Sequence, residues 1–120
     1  MFNSSVLKIG DISVGGESPL VFILGPCQIE NRDHALFMAE KIVKVCEPSS
    51  SKFIFKSSFD KANRSSITSS RGIGIEEGLK ILEEVKSTFR CPVITDVHTV
   101  PQCDIVAEVV DVLQIPAFLS

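Results

Sequence analysis

The chain has 120 residues, 44% of them hydrophobic and 22% charged, the balance of one folded domain at most rather than of a disordered tail. A net charge of −3 (12 Lys+Arg against 15 Asp+Glu), with no Trp or Tyr to stack on bases, argues against a nucleic-acid partner. No purely apolar run exceeds the five residues of 20–24, far below the ~20 residues that cross a bilayer, and residues 1–16 lack the pattern of a secretory signal, so a cytoplasmic protein with no membrane partner is expected.

Residues 6–16 alternate around Gly10-Asp11 and read as a short hairpin. The apolar run at 20–24 predicts a strand buried on both faces. Apolar positions recurring at three and four (Ala35, Met38, Ala39, Ile42, Val45, Cys46) predict a helix over 33–46. Residues 52–56 read as a second strand. Leu79, Leu82, Val85 and Phe89 give the inner face of a helix over 76–89. A third strand spans 92–97. Thr99 caps a third helix over 101–110, with Ile105, Val106, Val109 and Val110 inward, and 112–115 is the fourth strand.

A hairpin followed by β-α-β-α-β-α-β implies a parallel sheet of α/β class, either doubly wound or part of a (β/α)8 barrel. Four strands make half a barrel, which by itself would expose strand edges and an apolar face. The chain is thus expected to be a single partial domain over 1–120, with the hairpin at 6–16 and β/α units at 20–118.

In either architecture ligands bind at the carboxyl ends of the strands. Those ends carry Cys27 with Gln28 and Glu30, Lys56-Ser57-Ser58, Asp96 with His98, and Gln114 with Pro116 and Phe118. Residues 52–71 hold five basic residues against Asp60 alone, while the remainder holds 7 basic and 14 acidic. A basic, Ser/Asn-rich loop in an acidic chain suits a small phosphorylated anion; a solvated charged loop is the plain alternative. Arg71-Gly72-Ile73-Gly74-Ile75-Glu76-Glu77-Gly78 has the wrong spacing for a dinucleotide fingerprint, and its glutamates would repel a pyrophosphate. His34, near a helix start, is expected in solvent. His98 is a candidate acid/base group or ligand. Of the four cysteines, Cys46, Cys91 and Cys103 read as packing thiols. Cys27, directly after Gly25-Pro26 at a strand end, is the candidate ligand or reactive thiol.

Taken together, Gly25-Pro26-Cys27-Gln28-Ile29-Glu30, the run from Phe55-Lys56-Ser57-Ser58 through Phe59-Asp60-Lys61-Ala62 to Asn63-Arg64-Ser65-Ser66, Arg71-Gly72-x-Gly74, Thr95-Asp96-Val97-His98 and Gln114-Ile115-Pro116-Ala117-Phe118-Leu119 resemble one family in order. It is the 3-deoxy-D-manno-octulosonate 8-phosphate synthases, also called 2-dehydro-3-deoxyphosphooctonate aldolases. The resemblance implies a (β/α)8 barrel that condenses phosphoenolpyruvate with D-arabinose 5-phosphate and water. Inorganic phosphate is released, and the product feeds the lipopolysaccharide inner core. It implies that Lys56, Ser58 and Lys61 bind phosphoenolpyruvate and that Asn63, Arg64 and Ser65 bind the sugar phosphate, the arginine reaching a neighbouring subunit's site. Asp96 and Gln114, with the backbone of Pro116 and Ala117, would line the pentose channel, and Lys56, Lys61 and Asp96 would be catalytic. Cys27 marks the metal-dependent class, a thiolate suiting a divalent Zn, Fe or Mn ion.

The family runs to roughly twice this length, since a closed barrel needs ~250 residues. The chain is therefore expected to correspond to the N-terminal half, to hold no metal by itself and to show no turnover alone. The whole protein is expected to be a homotetramer. Two other readings stay open: a non-catalytic, phosphate-binding half-barrel, and a related 3-deoxy-D-arabino-heptulosonate 7-phosphate synthase-type aldolase, which the run from Lys56 to Ser66 disfavours.

Overall fold

The computed structural model describes residues 5–60 and 73–120. In chain order the elements are β1 (Leu7–Ile9), β2 (Ile12–Val14), β3 (Val21–Leu24), α1 (Arg32–Cys46), β4 (Lys52–Lys56), α2 (Ile75–Phe89), β5 (Val93–Asp96), α3 (Val100–Ala107) and β6 (Val112–Gln114). β1 and β2 form the expected antiparallel hairpin, with Ile9 opposite Ile12 across a two-residue loop. Gly10 in that loop has φ +56°, a left-handed value that glycine adopts without steric cost.

The four later strands form one parallel sheet in the order β3-β4-β5-β6. This order decides between the two architectures. A doubly wound sheet reverses and places a later strand beside the first, whereas a barrel adds each strand to the same side of the last. The sheet has the order of half a (β/α)8 barrel.

Alternate strand residues face opposite ways. On the helix side, Phe55, Leu82, Val85 and Val93 are fully buried, and burying each such side chain is worth about 1.5–3 kcal/mol. On the inner side, Ile54 and Ile94 pack with Ile12 of the hairpin, joined by Val21 and Val112. The hairpin thus covers the inner face near the amino ends of the strands.

Local chemistry explains the helix starts and stops. Asn31 Oδ1 accepts the His34 N–H at 2.8 Å and caps α1, a contribution of about 1 kcal/mol. α2 begins after Gly74 (φ +98°), carries Glu76 and Glu77 in its first turn, and ends at Arg90 in a left-handed conformation (φ 52°). Across the surface, the Arg32 guanidinium grips the Glu84 carboxylate of α2, and its hydrogen bonds hold that carboxyl below the usual range. None of the helices among the described residues is long and apolar enough to cross a membrane.

Four expectations need correction. The run at 20–24 is not buried on both faces: Leu20 is 75%, Ile23 52% and Phe22 40% exposed. Its strand pairs with β4 alone among the described residues, so one flank is open. Val45, near the C-terminal end of α1, is exposed. The third helix stops at Ala107, and Ile105 within it is exposed while Val106 and Val110 are buried; Thr99 sits at its cap position without a side-chain capping bond. His34 is half-buried rather than solvated, with Nδ1 out of contact with water.

Candidate active site

Three close approaches assemble the carboxyl ends of the strands. The first is at Gly25, just after β3, where an added Cβ would stand 1.8 Å from the Lys56 carbonyl oxygen. The chain can pass over β4 there only because glycine has no side chain. The second is a pair of main-chain bonds beyond the strand ends: the Ser58 N–H donates to Cys27 O at 3.2 Å, and the Ile29 N–H donates to Ser58 O at 2.9 Å. The third is a line of buried hydroxyls. Ser57 Oγ donates to Pro26 O and Thr95 Oγ1 donates to Ser57 O, both at 2.7 Å. Backbone carbonyls that would otherwise be orphaned at the strand ends are thereby satisfied.

Thr95→Val keeps the shape of this fully buried residue and removes the bond to Ser57 O. Loss of one partner of a buried bond is expected to lower stability by about 1–2 kcal/mol. Equilibrium urea unfolding reads it as a lower midpoint at unchanged slope. An unchanged midpoint would show that the hydroxyl contributes nothing.

Strand parity places the predicted residues. Lys56, Asp96 and Gln114 each lie two residues beyond Ile54, Ile94 and Val112 of the inner cluster, so they share that face. The register pairs Asp96 with Gln114 and Lys56 with Ile94. Extended by two residues, it sets Ser58 level with Asp96. Lys56 is half-buried, Gln114 is half-buried, and Ser58 and Asp96 are buried. Pro116 and Ala117 follow on the segment leaving β6, where Ala117–Leu119 form a single 3-10 turn. One face thus carries a cation, a hydroxyl, a carboxylate and a carboxamide, suited to a small polar anion and a hydroxylated partner.

Two features of this edge were not singled out in the sequence. Ser57 and Thr95 point to the helix side, and no local pattern marks them as cross-strand links. Asp96 and His98 form a buried pair, Nε2 to Oδ2 at 3.0 Å. Their spacing of two on an extended segment was the available signal. Lys61, Asn63, Arg64, Ser65, Arg71 and Gly72 lie outside the described residues.

Cys27 is exposed. Among the described residues no group of three His, Cys, Asp or Glu side chains converges to hold a metal ion. One thiol does not make a divalent-cation site, so the described residues do not fit the metal by themselves. Cys46 and Cys91 are buried packing thiols, as expected. Burial pushes the Cys91 thiol up from 9.0 to about 11, with a smaller contribution from Asp111. The sign follows from linkage. Above pH 9 the unfolded chain sheds a proton that the native state keeps, so this contribution is present below 9.0 and lost as pH rises toward 11. Cys91→Ala is expected to flatten the fall in unfolding free energy across that interval; an identical fall in the variant would exclude Cys91 as its source.

A separate cleft of about 740 Å³ lies at the amino ends of the strands, lined by Asp11, Lys52, Arg90 and Asp111 among others. None of the predicted site residues among the described ones lines it, and the strand-end chemistry lies at the opposite, carboxyl ends of the strands.

Known proteins resemble this chain in sequence. The 2-dehydro-3-deoxyphosphooctonate aldolase of Rickettsia rickettsii (strain Sheila Smith) is 60% identical over 114 residues, 95% of this chain and 42% of that protein. The proteins of the same name from Rickettsia felis and Rickettsia canadensis are 59% and 58% identical over the same extent. The chain therefore spans less than half the length of these relatives. The model of the DAHP synthetase I family matches residues 3–120. With half of a (β/α)8 barrel behind a hairpin, and its polar residues at the carboxyl ends of the strands, the chain belongs to the DAHP synthetase I family.

Proposed function

We propose that the whole protein carrying this chain condenses phosphoenolpyruvate with D-arabinose 5-phosphate and water, giving 3-deoxy-D-manno-octulosonate 8-phosphate and inorganic phosphate. The observation that carries the reading is the shared inner face of Lys56, Ser58, Asp96 and Gln114, in a chain 60% identical to aldolases named for that product. Lys56 supplies a point charge for the enolpyruvate's phosphate or carboxylate, and Ser58 a hydroxyl donor. Asp96 and Gln114 take the pentose hydroxyls, and the backbone of Pro116 and Ala117 borders the same channel. Lys61, Asn63, Arg64 and Ser65 furnish the remaining phosphate contacts, Arg64 toward a neighbouring subunit of a homotetramer. Cys27 offers one donor to a cation site that residues beyond the described ones complete.

In the reaction, C3 of the enol attacks the aldehyde carbon, the aldehyde oxygen takes up a proton, water adds at C2, and phosphate leaves from C2. No covalent bond to the protein forms. The residues act by holding two anionic molecules in contact and by stabilising charge as it moves.

The test is consumption of phosphoenolpyruvate by the whole protein. Turnover is expected with arabinose 5-phosphate and not with erythrose 4-phosphate, the substrate of the related heptulosonate synthases. Turnover with erythrose 4-phosphate alone, or with neither sugar, overturns the reading. Full activity in EDTA would separately remove the proposed metal role of Cys27.

A further inference from the structure

We propose that His98 is a positioning residue, fixing the Asp96 carboxylate so that one chosen oxygen meets the pentose; this rests on the function proposed above. His98 Nε2 lies 3.0 Å from Asp96 Oδ2, and the two side chains are only 7% and 9% exposed. In so dry a setting a charge-assisted hydrogen bond holds its geometry well.

The segment that carries the imidazole is held as well. The His98 backbone N–H donates to Gln102 Oε1 at 2.8 Å, tying this segment to the first turn of α3. The Phe59 ring meets the imidazole edge to face, with centroids 5.8 Å apart and planes at 88°. Phe59 in turn lies under Gly78 of α2, where an added Cβ would stand 2.5 Å from Phe59 Cβ. The imidazole that meets this carboxylate thus stands on a tied main-chain segment and against a packed aromatic ring.

The bond to His98 engages Oδ2 and leaves Oδ1. Asp96 Oδ1 is buried and has no hydrogen-bond partner among the described residues. A carboxylate oxygen in that state calls for a donor from outside the chain. A pentose hydroxyl is such a donor, whereas a fully ionised phosphate or carboxylate offers no proton and is repelled. The orientation set by His98 therefore favours the polyol over the enolpyruvate at this point and assigns the anion to Lys56. His98 Nδ1 is also buried and unpaired among the described residues. With Nε2–H given to Asp96, Nδ1 is an acceptor, again suited to a hydroxyl.

The test uses the whole protein and two variants. His98→Phe keeps a ring against Phe59 and removes the bond to Asp96. It is expected to raise the KM for arabinose 5-phosphate about tenfold while the KM for phosphoenolpyruvate stays near wild type, with a thermal midpoint lowered by the lost buried bond. His98→Gln, whose amide N–H reaches as far as Nε2, is expected to bring the sugar KM back to within about threefold of wild type. If His98→Phe does not fold, His98→Asn, too short to reach Asp96, takes its place with the same expectation. An unmoved sugar KM, an equal rise in both KM values, or no rescue by glutamine overturns the positioning role. Wild-type protein that fails to turn over arabinose 5-phosphate instead brings down the functional reading, and this inference with it.

Discussion

Gly25→Ala is expected to destabilise the fold by about 3 kcal/mol or more, the upper part of the range for overpacking. The added methyl would lie 1.8 Å from the Lys56 carbonyl oxygen, 2.8 Å from its carbon and 3.0 Å from the Lys56 nitrogen. All three are backbone atoms in β4, so no rotamer change relieves the clash; β3 and β4 must separate. Total stabilities of about 5–15 kcal/mol leave little margin for such a loss. Gly74→Ala is the informative comparison. No atom of the described residues lies within 4 Å of its added Cβ, but its φ is +98°. There the cost is conformational alone, about 1 kcal/mol, and the two variants separate crowding from backbone strain. Denaturant unfolding followed by circular dichroism reads both, and a wild-type midpoint for Gly25→Ala would show that the two strands can part at that point without cost.

Lys56→Met is expected to lower kcat/KM of the whole protein by about 10²–10³, the usual effect of removing one charge aimed at a developing anion. Methionine keeps most of the unbranched stem, and Lys56 is half-buried, so the fold loses little packing. The loss should therefore appear in turnover, with the thermal midpoint almost unchanged. Lys56→Arg retains the charge on a broader, planar head and should recover only part of the activity. Activity of Lys56→Met within threefold of wild type would remove Lys56 from the reacting centre.

Much of this architecture is legible in the residues themselves, for stated reasons. Strands at 52–56 and 112–115 and helices at 33–46 and 76–89 agree with the observed elements to within a residue, because their apolar periods match their burial. Periodicity alone leaves barrel and doubly wound sheet open, since strand order is a property of the assembled sheet; the family motifs point to the half barrel that the strand order shows. Leu20-Val21-Phe22-Ile23-Leu24 shows the same limit. An apolar run reports what a strand needs to bury, not whether a neighbour covers it. The polar residues at Lys56, Asp96 and Gln114 could be assigned to one edge by topology alone, while Gly25, Ser57, Thr95 and Gly78 act through approaches between distant segments that no local pattern encodes. The pairing of Asp96 with His98 lay within reach, because residues two apart on an extended segment share a side.

The bonds joining Cys27, Ile29 and Ser58 make the segment after β3 a continuation of the sheet. Amide protons of Ile29 and Ser58 should exchange with solvent as slowly as those of β4, although both lie past the strand ends. The Cys27 sulfur is then carried by a rigid platform rather than by a swinging loop. Little entropy remains to be lost when something binds it, and its position relative to Lys56 is set before any ligand arrives.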